Sequence, residues 1–178
     1  MTVGPMQPDR HLYFFMRNIL IHIIVVMLTI GLAYGADSLR GRVIRVKDGD
    51  SFLMRSGGLI YEIRMYGIDA PEYKQPYGKQ SYKALRSYIA NKNIKLIKSG
   101  TDIYGRLIGK VYLGKTYINL KMVSLGHAHW YRKYAPKHKD LQIAEQSAKK
   151  SKLGLWNQSN SVSPSQWRKS KPLSTSSK

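Results

Sequence analysis

Residues 61–72 of the chain read YEIRMYGIDAPE, and the first half of this stretch alternates as a β-strand does. Ile63 and Met65 are apolar and the intervening Glu62 and Arg64 are charged, so one face of the strand can be buried while the other meets water. A glycine, an aspartate, a proline and a glutamate follow, where the strand should end and a loop begin. The stretch therefore predicts a strand that delivers two carboxylates into a loop.

The clustering of these acids is notable because the chain is strongly basic. Its 178 residues include 30 Lys plus Arg and only 10 Asp plus Glu, for a formal net charge of +20. Such a charge favours a polyanionic partner, nucleic acid first and an anionic membrane surface second, although a merely soluble protein can carry it too. There is no cysteine, which excludes disulfides, thiolate metal sites and a cysteine nucleophile. Any metal must be held by oxygen or imidazole ligands.

The first 35 residues have the layout of a secretory signal peptide. Arg10 and Arg17 precede an apolar run at 19–32, and small residues follow it. We predict cleavage after Gly35 or Ala36, which makes the protein secreted or periplasmic. The alternative is an uncleaved anchor, because residues 19–36 are just long enough to span a bilayer. Both interpretations place the rest of the chain outside the cytoplasm.

Turn signals divide the remaining sequence into short strands and amphipathic helices. Gly57-Gly58 between apolar runs predicts a hairpin. Asn119 is predicted to cap the second helix, and Pro136 to open the third. The predicted strands are 39–46, 51–55, 59–65, 93–97 and 107–113, and the predicted helices are 79–90, 119–125 and 136–153. This order favours a mainly β fold, a five-stranded Greek-key barrel of the OB-fold type with three α-helices.

The chain is predicted to divide into three parts: the signal peptide or anchor at 1–35, the barrel domain at 36–156 and a tail at 157–178. The tail is rich in Ser, Lys and Pro and contains no acid. That composition predicts a solvated or disordered segment.

Four carboxylates fall where predicted strands end, namely Asp48, Asp50, Asp69 and Glu72. One Asp-Gly-Asp turn is unremarkable, but two carboxylate-bearing loops from neighbouring strands indicate a hard-cation site, and calcium suits such ligands. Arg64 and Arg106 lie beside predicted strand ends, and guanidinium groups bind phosphate oxygens in a bidentate manner. Arg64 could instead pair with a neighbouring acid at the surface. Taken together, these residue types are those of a phosphodiester hydrolase.

Three motifs resemble the staphylococcal nuclease (thermonuclease) family: VKDGDSF at 46–52, IRMYGIDAPE at 63–72 and DIYGR at 102–106. Weaker support comes from NLKMVSLGHAHWY at 119–131 and KKSKLGLW at 149–156, so the likeness spans about residues 40–156. The resemblance implies a five-stranded OB-fold barrel with three helices.

The resemblance also implies roles for individual residues. Asp50, Asp69 and the main-chain carbonyl of Ala70 correspond to the calcium ligands. A threonine occupies the Ala70 position in the best-known family member, and alanine preserves a main-chain ligand there. Glu72 corresponds to the general base, and Arg64 and Arg106 correspond to the phosphate-binding arginines. Asp48 is expected to support the metal ligands, and Tyr104, Tyr131 and Tyr134 lie near nucleotide-contacting tyrosines.

The expected function is that of a calcium-dependent nuclease acting on DNA and RNA, as a monomer without an obligate protein partner. The alternative is a catalytically inactive OB-fold protein that only binds nucleic acid. A membrane-surface protein would explain the charge but not the motifs. His127 and His129 are interpreted as solvated loop histidines and not as transition-metal ligands.

Overall fold

The computed structural model describes residues 14–24, 38–159 and 161–170, which belong to two compact units, Met1–Asp37 and Ser38–Lys178. In the first unit, residues 14–24 form helix α1 with largely exposed side chains. The predicted cleavage site after Gly35 or Ala36 lies outside the described residues. None of the helices in the described ranges has the length and apolar character needed to cross a membrane.

The second unit is built around a closed β-barrel. Its strands are β1 (Ser38–Val46), β2 (Ser51–Ser56), β3 (Leu59–Met65), β4 (Ile68–Asp69), β5 (Asn93–Thr101), β6 (Leu107–Leu113), β7 (Thr116–Tyr117) and β8 (His129–Trp130). The five long strands pair in the order β3-β2-β1-β5-β6, with antiparallel neighbours. Parallel pairing of β3 with β6, with Ile63 opposite Leu107, closes the barrel. The predicted five-stranded OB-fold barrel is confirmed.

The alternation in β3 produces the expected two faces. Ile63 and Met65 are buried in the barrel, whereas Glu62 and Arg64 are only partly covered. Phe52 and Met54 from β2 are fully buried in the same core. Burying each such side chain stabilises the fold by roughly 1.5–3 kcal/mol. The barrel is therefore a packed core, and its chemistry must lie in the loops at its rim.

Among the described residues of this unit are four α-helices and one 3-10 helix, Gly154–Asn157. The α-helices are α2 (Gly78–Ile89), α3 (Ile118–Ser124), α4 (Lys139–Lys150) and α5 (Pro164–Ser170). The first three are the predicted helices, but α4 is shorter than predicted. Pro136 does not open it and lies instead in a turn that the His138 N–H closes by donating to the Ala135 carbonyl, 3.2 Å away. Proline at the second position of a turn has the same fixed φ as at the start of a helix, so the residue type suits both structures.

Helix α5 lies within the tail for which composition predicted disorder. Ser163 and Gln166 hydrogen-bond reciprocally, since the Ser163 N–H donates to Gln166 Oε1 at 3.2 Å and the Gln166 N–H donates to Ser163 Oγ at 3.3 Å. This is a capping box, with Pro164 as the first helical residue. Pro164 is buried, and the Gln75 side chain donates to the Val162 carbonyl at 2.7 Å. Residues 161–170 are therefore ordered by contacts with the barrel domain, contrary to the prediction.

The prediction that Asn119 caps α3 is wrong. Asn119 lies inside the first turn of the helix and is completely buried. Its amide accepts from the Val111 N–H at 2.9 Å and donates to the carbonyls of Tyr66 at 2.8 Å and Gly109 at 3.3 Å. An amide can both donate and accept, so it pairs main-chain groups of β6 with the segment that follows β3. Asn119 thus holds the end of β3, where the predicted site begins.

Replacing Asn119 with alanine should lower the free energy of unfolding by roughly 2–4 kcal/mol, because the buried Val111 N–H and the Tyr66 carbonyl lose this partner. The Gly109 carbonyl still accepts from the Tyr66 N–H. Denaturant titration of the variant and the parent measures this difference. Asn93→Ala, at an exposed position in β5, is the matched control and should change stability by less than about 1 kcal/mol. Equal stability of the two variants would contradict the tethering role.

Candidate active site

A tight turn between β3 and β4 brings Arg64 and Asp69 together. Gly67 has a φ of 75° in this turn, and a Cβ added there would lie 2.9 Å from Leu141, so glycine suits both the backbone and the space. Strand β4 then pairs with β8, with Asp69 opposite His129. As a result Arg64 Nη2 lies 2.9 Å from Asp69 Oδ1 and 3.3 Å from the Ile68 carbonyl oxygen.

The loop between β1 and β2 brings in the second predicted ligand, Asp50. Asp48 shapes this loop, because its carboxylate accepts from the Asp50 N–H at 3.0 Å and from Ser51 Oγ at 2.7 Å. Asp50 Oδ2 accepts from the Ala70 N–H at 2.5 Å. The two carboxylate-bearing loops are therefore joined directly, as their positions after neighbouring strands predict.

Asp50 and Asp69 are both buried, each only 3% exposed. Arg64 forms ion pairs with both carboxylates, and its Nη1 contacts Asp50 Oδ1. One guanidinium neutralises only one of two negative charges, so the trio keeps a net charge of −1. Burying carboxylates is costly unless cations compensate them. The arrangement therefore favours a second cation at this position.

The residues predicted to hold calcium fit that ion in donor chemistry and in charge. Two carboxylates and a main-chain oxygen are the hard ligands that calcium prefers. In the described part of the chain, no three His, Cys, Asp or Glu side chains are grouped as a metal site would require. Calcium bound by Asp50 and Asp69 would thus depend on the Ala70 carbonyl and on water for its remaining ligands.

Glu72 has a fixed backbone and a partly free side chain. Its N–H donates to Gln75 Oε1 at 3.1 Å, and its carbonyl accepts from the Gln75 N–H at 2.8 Å. Helix α2 begins against this loop so closely that a Cβ on Gly78 would lie 1.8 Å from the Glu72 carbonyl oxygen. The Glu72 side chain remains 39% exposed. Glu72 thus has a fixed backbone and a carboxylate that reaches water at the edge of the buried acids. A general base that takes a proton from water needs both properties.

The DIYGR loop between β5 and β6 positions Arg106 through Asp102. The Asp102 carboxylate accepts from the main-chain N–H groups of Tyr104 and Arg106, both at 3.0 Å, and from Arg106 Nε at 2.7 Å. Burial alone would raise the pKa of Asp102, but these hydrogen bonds and the Arg106 charge outweigh it and lower that pKa. Asp102 therefore stays ionised and orients the guanidinium. No role was predicted for Asp102, although its spacing of four residues from Arg106 is a local signal.

One cleft of about 740 Å³ contains almost all of the predicted site residues. Those lining it are Asp48, Asp50, Arg64, Ala70, Glu72, Tyr104, Arg106, Tyr131 and Tyr134. Asp69 joins the same site through its ion pair with Arg64. The arginine and carboxylate side chains thus converge from three separate loops, while the barrel holds those loops in place.

The three tyrosines form an aromatic rim on this cleft. Tyr104 is 77% exposed, and the Arg106 guanidinium lies 5.6 Å from the centre of its ring. The rings of Tyr131 and Tyr134 meet edge to face with centres 4.7 Å apart. Tyr131 is anchored because its N–H donates to the Gly67 carbonyl at 2.8 Å. Exposed rings next to cationic groups suit the stacking of nucleic-acid bases.

Arg168, from α5, also lines the cleft, and it was not predicted. Its Nη2 lies 3.0 Å from Asp69 Oδ2, and its Nη1 lies 2.8 Å from Glu72 Oε1. It is thus the second cation that the buried acids favour. The only hint of this contact in the sequence was the charge of the tail, which is basic and contains no acid, and which could pair with the clustered carboxylates.

The interpretation of His127 and His129 as solvated loop residues is wrong. The His127 ring stacks on Tyr77 and lies within 3.0 Å of its hydroxyl. The His129 side chain is only 12% exposed and packs edge to face against Trp156. Burial lowers the pKa of both histidines, and for His129 the nearby Glu145 partly opposes this effect. His127 packs on a residue 50 positions earlier in the chain and His129 on a residue 27 positions later, so no local pattern predicts either contact.

Comparisons with known proteins agree with this geometry. Residues 62–158 match the family described as staphylococcal nuclease homologue. A Haemophilus influenzae protein named an uncharacterized endonuclease is 34% identical over 158 residues, which are 88% of this chain and 88% of that protein. A micrococcal nuclease of Shigella flexneri is 31% identical over 160 residues, which are 84% of this chain and 91% of that protein.

A third relative shares a shorter region. The staphylococcal-like nuclease CAN1 of Arabidopsis thaliana is 36% identical over 111 residues, which are 62% of this chain but 34% of that longer protein. The family match at residues 62–158 falls on the domain that carries the cleft. On this evidence the chain belongs to the family of staphylococcal nuclease homologues.

Proposed function

We propose that the protein is a calcium-dependent nuclease that hydrolyses phosphodiester bonds of DNA and RNA outside the cytoplasm. The observation that carries this proposal is the convergence of Asp50, Asp69, Glu72, Arg64 and Arg106 at one cleft. Family membership and relatives named as nucleases and endonucleases support the nuclease activity itself. The metal, the residue roles and the location are parts of the proposal.

The proposed chemistry assigns one role to each group. Calcium held by Asp50, Asp69 and the Ala70 carbonyl would supply Lewis-acid stabilisation of charge on the phosphate. Glu72 accepts a proton from the water whose oxygen bonds to phosphorus. The P–O bond to the leaving oxygen breaks in the same reaction, and that oxygen takes up a proton from solvent. Arg64 and Arg106 donate hydrogen bonds to the non-bridging phosphate oxygens as negative charge builds in the phosphorane-like transition state. Asp48 and Asp102 orient these groups and do not contact substrate.

The substrate class follows from the surroundings of the cleft. The formal net charge of +20 attracts a polyanion regardless of its sequence. Tyr104, Tyr131 and Tyr134 offer stacking surfaces, which every base can use, so sequence preference should be weak. No group in this proposal reads the ribose hydroxyl, and both DNA and RNA are therefore proposed as substrates.

The decisive experiment incubates the purified protein with single- and double-stranded DNA and RNA, in calcium or in chelator. We expect cleavage of all four substrates in calcium, loss of cleavage in chelator and recovery when calcium is restored. Cleavage that is unchanged by chelator would contradict the calcium site. Binding without cleavage would favour the alternative function, a catalytically inactive OB-fold nucleic-acid-binding protein.

The proposed location has its own test. If the signal peptide is removed as proposed, protein recovered from a secreting host should begin at Ala36 or Asp37. An active membrane-bound form that begins at Met1 would instead support the uncleaved anchor.

A further inference from the structure

The C-terminal helix returns to the candidate active site and is held there by specific contacts. Its capping box, Ser163 with Gln166, defines where the helix begins. Buried Pro164 and the hydrogen bond from Gln75 to the Val162 carbonyl attach that end to the barrel domain. Gln75 belongs to the loop that begins at Glu72, so α5 is anchored next to the proposed base.

This anchoring delivers Arg168 to two acids with different proposed roles. Its Nη1 donates to Glu72 Oε1 at 2.8 Å, and its Nη2 donates to Asp69 Oδ2 at 3.0 Å. The two arms of one guanidinium therefore link the proposed general base to a proposed metal ligand. A guanidinium is charged at any physiological pH, so both contacts join opposite charges.

The contacts leave little capacity on Asp69 for a metal ion. Arg64 donates a hydrogen bond to Oδ1 of Asp69 at 2.9 Å, and Arg168 donates one to Oδ2. A calcium ion bound to Asp69 would share this carboxylate with the Arg168 guanidinium, and two cations on one carboxylate repel each other. On Glu72, Oε1 accepts a hydrogen bond from Arg168 Nη1 and is therefore occupied by a cation instead of a water molecule. This arrangement therefore opposes calcium binding at Asp69 and proton transfer to Oε1 of Glu72.

We propose that α5 is an autoinhibitory strap, in which Arg168 competes with calcium for Asp69 and occupies one carboxylate oxygen of Glu72, the proposed base. This inference rests on the proposed function. Arg168 is 42% exposed, and partly exposed ion pairs are weak, so the strap can be displaced. Asp69, which contacts Arg168, would hold calcium, and its occupation would displace the guanidinium by charge repulsion. Nucleic acid contributes because its phosphates attract Arg168 and the rest of the acid-free tail.

The test is a calorimetric calcium titration of the full chain without nucleic acid, comparing the parent with Arg168→Gln. Removing a competing cation should tighten calcium binding by about tenfold, because the binding-competent form no longer has to be released from the strap. Lys169→Gln is the matched control, since it removes the same charge from the neighbouring exposed position. It should bind calcium within about twofold of the parent. When Asp69→Asn is added to the parent and to Arg168→Gln, the two proteins should no longer differ in calcium affinity.

A second readout follows the strap itself. Hydrogen exchange of the amides at 163–170 should speed up when calcium is added to the parent, and should already be fast in Arg168→Gln. Cleavage at low calcium should be faster for Arg168→Gln than for the parent, and the two rates should converge at saturating calcium.

Three outcomes would overturn the strap: equal calcium affinity of parent and Arg168→Gln, strap amides that calcium does not affect, or slower cleavage by Arg168→Gln with unchanged calcium affinity. The last result would make Arg168 a substrate-binding residue. If the parent and Arg168→Gln differ tenfold in calcium affinity but neither cleaves nucleic acid, the proposed strap is supported and the proposed nuclease activity is refuted. Failure of the two ideas is therefore distinguishable.

Discussion

Replacing Glu72 with glutamine should slow nucleic-acid cleavage by roughly two to four powers of ten, the range attributed to a positioned general base. Glutamine has almost the same shape but cannot accept a proton from water at neutral pH. The fold should not suffer, because the side chain is 39% exposed and the loop is held by main-chain contacts with Gln75. The measurement is the initial rate at saturating calcium, with thermal melting as the check on folding.

Glu62→Gln is the matched control for this prediction. Glu62 lies on β3 of the same barrel but pairs with Lys47 at 2.5 Å and does not line the cleft. Its replacement should leave the cleavage rate within about twofold, as expected for a surface ion pair. If Glu72→Gln cleaves as fast as the parent, Glu72 is not the base and another group must take the proton.

Replacing either Arg64 or Arg106 with lysine should lower the cleavage rate by about 10²–10³-fold, although the charge is retained. A lysine ammonium is a single point of contact and cannot bind two oxygens as the guanidinium fork does. Arg64 spans both Asp50 and Asp69, and Arg106 is oriented by Asp102 through Nε. In both cases one guanidinium uses several nitrogen atoms at once, and lysine has only one side-chain nitrogen.

The two substitutions should differ in their effect on stability. Arg64→Lys leaves two buried carboxylates poorly compensated and should also lower the melting temperature. Arg106→Lys replaces a partly exposed group and should affect mainly the rate. Separate determination of kcat and KM, alongside melting curves, distinguishes these effects. Arg55→Lys, on an exposed position of β2, is the control, and a comparable loss of activity there would show that the effect is not specific to the cleft.

Much of the fold could be predicted because its signals are local. Alternation of apolar and polar residues over a few positions marks β3 as a strand, and Gly57-Gly58 marks the hairpin before it. The acids were found because they follow the ends of strands, and the arginines because they lie beside strand ends, Arg64 within β3 and Arg106 just before β6. The closed barrel brings these chain segments together. Where two local structures suit the same residue, the prediction failed: Pro136 fits a turn or a helix start, and only packing selects the turn.

The sequence by itself determined the barrel, three of its helices and most of the residues that meet in the cleft, although not Asp102 or Arg168. Tertiary structure alone decided the burial of Asn119, the packing of His127 and His129, and the position of Arg168. The SPSQ capping box at 163–166 indicates a helix locally, but not where that helix docks. Arg168 and Glu72 are 96 residues apart in the sequence. Arg168 is attracted to this site by the net negative charge that Asp50 and Asp69 keep after Arg64 has neutralised one of them. Such compensation belongs to the assembled structure, because no short stretch of sequence contains both charges.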